Sequence, residues 1–125
     1  MKIAISSTGQ ALDSQIDQRF GRAEYFIIVD TESMEFDVIE NSNTAGAGGA
    51  GINSAKVVID AQAKAVLTGN CGPNAQRTLS AAGLKLYTGA SGTIEQAVDL
   101  FKTGKLTEST EPNVGSHFGM ENTNA

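Results

Sequence analysis

The order of apolar runs predicts a single α/β domain, a mixed sheet with helices on both faces. Three observations carry that expectation. Ile3-Ala4-Ile5 and Tyr25-Phe26-Ile27-Ile28-Val29 are continuous apolar runs, as in strands buried on both faces. The second half of the chain alternates short strand-like runs with segments of helical period. Turns rich in glycine punctuate that alternation. The resulting order, βββαβαβα, makes strands one, four and five parallel. Strands two and three add an antiparallel hairpin on one side.

Strand one spans Lys2 to Ser7. The connection over residues 8–23 is long for a compact domain and carries Asp17, Arg19, Phe20 and Arg22; connections of that length are often functional. Strand two runs from Glu24 to Asp30. Thr31-Glu32-Ser33 turns the chain into strand three, Met34 to Glu40, where Phe36 and Val38 alternate with polar residues as on a half-exposed edge. Small residues fill Asn41 to Gly51. Helix one follows from Ile52 to Ala63, with Ile52, Ala55, Val58 and Ile59 at helical spacing. Strand four is Ala65 to Gly69. Helix two covers Asn74 to Ala82 and ends at Gly83, a natural C-cap. Strand five is Lys85 to Thr88. Thr93 caps helix three, Ile94 to Lys102, which puts Ile94, Ala97, Val98 and Phe101 on one face, and Gly104 ends it. A domain of residues 1–106 is therefore expected, followed by a polar, flexible tail over 107–125.

Composition narrows the function. A net charge of −5, with no run of Lys and Arg, argues against a general nucleic-acid binder. No apolar run approaches the roughly 18 residues of a membrane span. The opening Met1-Lys2-Ile3-Ala4-Ile5-Ser6 turns polar too soon for a signal peptide. One cysteine makes no internal disulfide, so a cytoplasmic, reducing setting is expected. One Cys, one His and three Met cannot supply a four-ligand zinc or iron–sulfur site within one chain. The only His, His117, lies in the tail, which leaves no Ser/His/Asp set and disfavours a hydrolase.

The segment Gly69-Asn70-Cys71-Gly72-Pro73-Asn74-Ala75 carries the most chemistry. Its thiol sits between a strand and a helix start, where backbone N–H groups and the helix dipole lower a thiol pKa and attract anions. A buried, inert cysteine is the plainer alternative. Ligands of open α/β sheets bind beyond the C-terminal ends of the parallel strands. Three turns converge there on this topology: one with Ser7, one with Cys71, Gly72, Pro73 and Asn74, and one with Ser91 and Gly92. The small-residue loop with Gly48 and Gly49 can join them. Asn74 has a plainer reading as the cap of helix two, and Pro73 suits a helix start without any function. Gly46-Ala47-Gly48-Gly49-Ala50-Gly51 matches G-x-G-x-x-G literally, but it does not directly follow a strand, and no acid suited to a ribose ends the next one. Arg19 and Arg22 flank Phe20-Gly21. Either both guanidinium groups are solvated while Phe20 anchors the loop, or one of them meets an anion.

Together these segments resemble a known family. Met1–Ser6, Asp17–Phe26, Gly48–Gly51, Cys71–Ala75 and Gly89–Glu95 are similar to the dinitrogenase iron–molybdenum cofactor biosynthesis family, over residues 1–106. That family includes NifX, NifY, the C-terminal part of many NifB proteins, and the orange protein of sulfate reducers. The resemblance implies a ribonuclease H-like α/β/α fold with strand order 3-2-1-4-5. It implies a protein that binds or carries a preformed metal–sulfur cluster (Fe-S, Mo-Fe-S or Mo-Cu-S), held largely noncovalently, and is not an enzyme. The implied partners are cluster donor and acceptor proteins, with the chain a monomer or weak homodimer that binds neither nucleic acid nor membrane. The cradle would comprise Ser7, Arg19, Gly48, Gly49, Cys71, Gly72, Pro73, Asn74, Ser91 and Gly92, with Cys71 the metal ligand. The second reading is a module for a small anionic ligand or nucleotide without metal. A cysteine-dependent redox enzyme ranks last, because no second cysteine resolves a disulfide.

Overall fold

The computed structural model describes residues 1–41 and 49–109. The elements are β1 (Lys2–Ser7), β2 (Tyr25–Asp30), β3 (Phe36–Glu40), α1 (Ala50–Asp60), β4 (Ala65–Leu67), α2 (Pro73–Ala81), β5 (Lys85–Tyr87) and α3 (Ile94–Lys102). All five strands form one sheet in the order β3-β2-β1-β4-β5. β1 pairs antiparallel with β2 and parallel with β4, β4 is parallel to β5, and β2 and β3 form the expected hairpin.

Alternation along the strands divides the core into two layers. Ile3, Ile5, Ile27, Val29, Ala65 and Leu67 pack with Ile94, Ala97 and Val98 of α3. Ala4, Phe26, Ile28, Val66 and Leu86 pack with Ala55 and Val58 of α1 and Ala75 and Leu79 of α2. Both faces of the central strands are thus covered, which is why their sequences are apolar without interruption.

Element ends differ from the expected ones by one to three residues, the clearest cases for a local reason. β3 begins at Phe36, because Met34 has φ 62 and belongs to the turn. The Asp30 carboxylate accepts the Glu32 and Ser33 N–H groups at 2.9 and 3.3 Å, and these bonds hold its pKa below the ordinary carboxylate value. α1 begins at Ala50, because Gly49 takes a left-handed conformation, φ 74, as its N-cap. It ends at Asp60, and Gln62, at φ 66, leads the chain out. α2 begins one residue early, with Pro73 in its first turn, where a missing N–H costs nothing.

Beyond residue 106 the chain runs along the free edge of β5. Glu108 bridges to Tyr87 in the antiparallel sense, and the Ser109 N–H donates to the Leu86 carbonyl at 2.7 Å. The expected flexible tail otherwise falls outside the described residues, as does His117. No helix among the described residues is long and apolar enough to cross a membrane.

Candidate functional site

The long connection between β1 and β2 crosses the C-terminal ends of the three parallel strands and ties their turns together. Beyond β1, Asp17 N–H donates to Ser6 O at 2.9 Å, while Ser6 Oγ donates at 2.7 Å to Asp17 O or to Thr68 Oγ1. Beyond β4, Phe20 N–H donates to Asn70 O at 3.1 Å, and Asn70 Nδ2 donates to Gln18 O at 3.0 Å. Beyond β5, Ile16 N–H donates to Gly92 O at 2.9 Å, and Gln18 Nε2 donates to Ala90 O at 3.2 Å. Ser7, Arg19, Cys71, Gly72 and Gly92 therefore lie at one end of the sheet.

Glycines draw two helix starts into this region. A Cβ on Gly21 would stand 3.1 Å from Gly51 Cα, and one on Gly51 would stand 3.3 Å from Ala75 Cβ. The first turns of α1 and α2 are thus in contact, with Gly21 against them. Gly69 is similarly confined, since a Cβ there would collide with Gln18. The packing role of Gly21 and Gly69 is not legible from spacing alone. Their one signal is position, within Asp17-Gln18-Arg19-Phe20-Gly21 and at the end of an apolar strand.

The expected site residues have different roles in this geometry. Ser7 is buried, and its Oγ donates to Gly9 O at 2.7 Å and accepts Gly9 N–H at 3.1 Å, so it closes a turn. The Arg19 side chain is 45% exposed, and its Nε lies 3.5 Å from Asp17 Oδ1. The same carboxylate oxygen, nearly buried, accepts the Arg19 N–H at 3.0 Å. Arg19 is therefore half-exposed and held at Nε by Asp17. Gly72, extended at φ −82 and ψ 176, is the N-cap of α2. Asn74 does not cap that helix; its Oδ1 accepts from Arg77 Nη2 instead. The reason is Pro73, which occupies the first turn and makes its predecessor the cap. Ser91 is exposed. Gly49 caps α1, and Gly48 falls outside the described residues.

The three helix starts are not equivalent. α1 and α2 have no side-chain cap hydrogen bond and no acid in the first turn. At α3, Thr93 and Gln96 form a complete capping box. The Ile94 and Glu95 N–H groups donate to Ser14 and Leu12 carbonyls, each at 2.9 Å. The helix starts without a side-chain cap are therefore the two that meet, those of α1 and α2.

Cys71 requires a correction. Its residue is 1% exposed and belongs to the layer with Phe20, Phe26, Ala55 and Ala75. Its Sγ faces the Gly72 carbonyl at 3.7 Å as a weak donor. Burial pushes the thiol up from 9.0 to about 12, opposite to the expected lowering. The helix start does favour a thiolate, but desolvation of the charged sulfur outweighs it. Phe20 and Phe26, with ring centroids 5.2 Å apart, tie the connection to the same layer. Among the described residues, no three His, Cys, Asp or Glu side chains gather to hold a metal ion.

Residues 1–104 match the family described as dinitrogenase iron-molybdenum cofactor. The chain belongs to this family. The apo form of the orange protein from Desulfovibrio gigas superposes with a TM-score of 0.89 at 37% identity, over 90% of this chain and 96% of that one. A proposed NifB protein of Thermotoga gives a TM-score of 0.79 at 41% identity, over 90% and 97% of the two chains. An uncharacterised protein of Methanocaldococcus jannaschii is 29% identical over 110 residues, 85% of this chain and 93% of that one. The resemblance read from the sequence is thus the family itself. Family and neighbours together support an accessory role related to cofactor clusters.

Proposed function

We propose that this domain holds a preformed, anionic metal–sulfur cluster as cargo and passes it from a donor protein to an acceptor, without catalysing a reaction. The observation that carries the reading is the paired, uncapped starts of α1 and α2, with Arg19 on the connection that crosses the same end of the sheet. Helix-start N–H groups without a side-chain cap, together with the positive ends of two helix dipoles, attract an anion without needing a ligating side chain. Arg19 adds a fixed positive charge. Gly49 and Gly72 leave room for close approach, and Gly92 and Ser91 border the same end of the sheet. Such a cradle suits an iron–sulfur, molybdenum–iron–sulfur or molybdenum–copper–sulfur species assembled elsewhere. Cys71 ligates only if its sulfur leaves the core, so amides and Arg19 come first. We place the protein in the cytoplasm as a monomer or weak homodimer.

The test is anaerobic reconstitution with iron and sulfide, and with thiomolybdate with and without copper, followed by visible absorption and metal analysis. Stoichiometric, coloured uptake is expected in wild type and in Cys71→Ser, and weaker uptake in Arg19→Gln. Uptake lost in Cys71→Ser would make the thiolate a ligand and replace the noncovalent cradle. No uptake in any variant would sink the carrier reading. A melting-temperature rise with nucleotides or phosphate would then establish the small-anion module.

A further inference from the structure

The opposite end of the sheet carries a second feature. Lys2 begins β1 and Lys64 immediately precedes β4, and the two are joined by a hydrogen bond from Lys64 N–H to Lys2 O at 2.8 Å. Lys85 follows on the next strand, its N–H donating to Lys64 O at 3.1 Å. All three residues are exposed. Lys2 shares the sheet face of Ala4, and Lys64 that of Val66, so both lie on the side of α1 and α2. Ammonium groups side by side on adjacent strands repel one another. Asp30, opposite Lys2 on β2, accepts from the N–H groups of its own turn and lies 3.9 Å from the Met1 amino group, so Lys2 acts on it only through its field. No salt bridge to these lysines forms among the described residues, although the chain as a whole is acidic at −5.

Lys2 and Lys64 rim an open groove of about 560 Å³ between the C-terminal ends of α1 and α2. Ile59, Ala63, Ala82 and Leu84, with Met1, supply its apolar lining. Two helix C-termini place partial negative charge at this end, which disfavours a small anion lying deep in the groove. The lysines can reach outward from the rim. An apolar group inside with carboxylates outside satisfies both features.

We infer that this groove docks a segment of a partner protein that is acidic and carries an apolar side chain. The apolar side chain lies against Ile59, Ala82 and Leu84, and flanking carboxylates meet Lys2 and Lys64, with Lys85 adding to the field. Docking here is remote from the turns beyond β1, β4 and β5, so it leaves that end of the sheet uncovered. The inference does not depend on what binds at the other end.

A peptide of sequence Glu-Asp-Leu-Leu-Glu-Asp, blocked at both ends, tests this by amide chemical shifts in the isotope-labelled protein. The expected result is movement of the Lys2, Gln62, Lys64 and Leu84 amides, with those of Asn70, Cys71, Gly72, Asn74 and Ala75 still. The movement should vanish near 1 M salt, where screening length falls to about 3 Å. Affinity should drop about fivefold or more in K2Q/K64Q, the loss expected for two exposed charge pairs. Unmoved groove amides overturn the inference. So does equal movement with the Gln/Asn version of the peptide, or with inorganic phosphate, which would mark a generic apolar or small-anion site.

Discussion

The starts of α2 and α3 lie at the same end of the sheet, on opposite faces, and are built in opposite ways. α3 satisfies its first N–H groups within the protein, through Ser14, Leu12 and the Thr93–Gln96 box, and adds Glu95 to its first turn. α2 begins with Gly72 and Pro73, has no side-chain cap, and touches an equally uncapped α1. A side-chain cap gains about 1 kcal/mol over alanine but only a few tenths over glycine, so Gly49 and Gly72 each forgo roughly a few tenths of a kcal/mol. Fold stability alone would favour capping all three. Among the described residues the α3 start is closed by the protein itself, while the α1–α2 face leaves its first N–H groups without a side-chain cap, an asymmetry that suits an anion there.

The largest effect should come from breaking the anchor on the open face. Phe20 is 1% exposed and lies against Phe26, in the layer beneath α1 and α2. Phe20→Ala should lower stability by about 3–5 kcal/mol, read by urea unfolding. Amide exchange should accelerate at residues 50–54 and 74–76 more than at 94–96. Equal acceleration at all three starts would mean that the connection clamps both faces alike and would erase the distinction between them.

Cys71 gives the next largest effect. A thiol pushed up to about 12 in the folded protein, against 9.0 for the ordinary group, stays protonated where the unfolded chain has lost its proton. The folded state therefore binds more protons in this window. Its advantage is fully present below about pH 9 and is lost as pH rises toward 12. The slope is up to about 1.4 kcal/mol per pH unit. Urea unfolding of wild type against Cys71→Ala at pH 8 and pH 10.5 should show this excess loss in wild type only. Parallel losses in the two proteins would mean the sulfur is more solvated than its burial implies, and the open face would then expose a usable thiolate.

The topology was legible because β1 and β2 are apolar without interruption, which only a sheet covered on both faces requires, and because turns separate the later elements cleanly. The convergence of the three turns followed from that topology. The orientation of Cys71 did not follow. A residue between a strand and a helix can face the helix dipole or the layer below, and which one depends on Phe20, Phe26 and Ala55, distant in sequence. Element ends differ from the expected ones where propensity competes with geometry. Met34 and Gln62 adopt positive φ although neither is glycine, because tight turns at those points impose it. Gly51, read as part of a loop, lies inside α1, where its missing side chain admits Ala75.

The smallest effects separate the two caps. Thr93→Ala removes the acceptor for Gln96 N–H and disrupts the capping box, so it should cost about 1 kcal/mol in urea unfolding. Asn74→Ala removes only a surface contact to Arg77, because Gly72 holds the cap position, and should cost less than about 0.5 kcal/mol. The contrast is informative because both residues are strong N-cap types one turn or less from a helix start. Propensity alone predicts equal losses. A loss near 1 kcal/mol for Asn74→Ala would show that α2 is capped in solution after all, and its first N–H groups would not be held in reserve. With a negligible loss, α3 alone is closed by its own side chains, and the meeting point of α1 and α2 keeps its N–H groups for an anion.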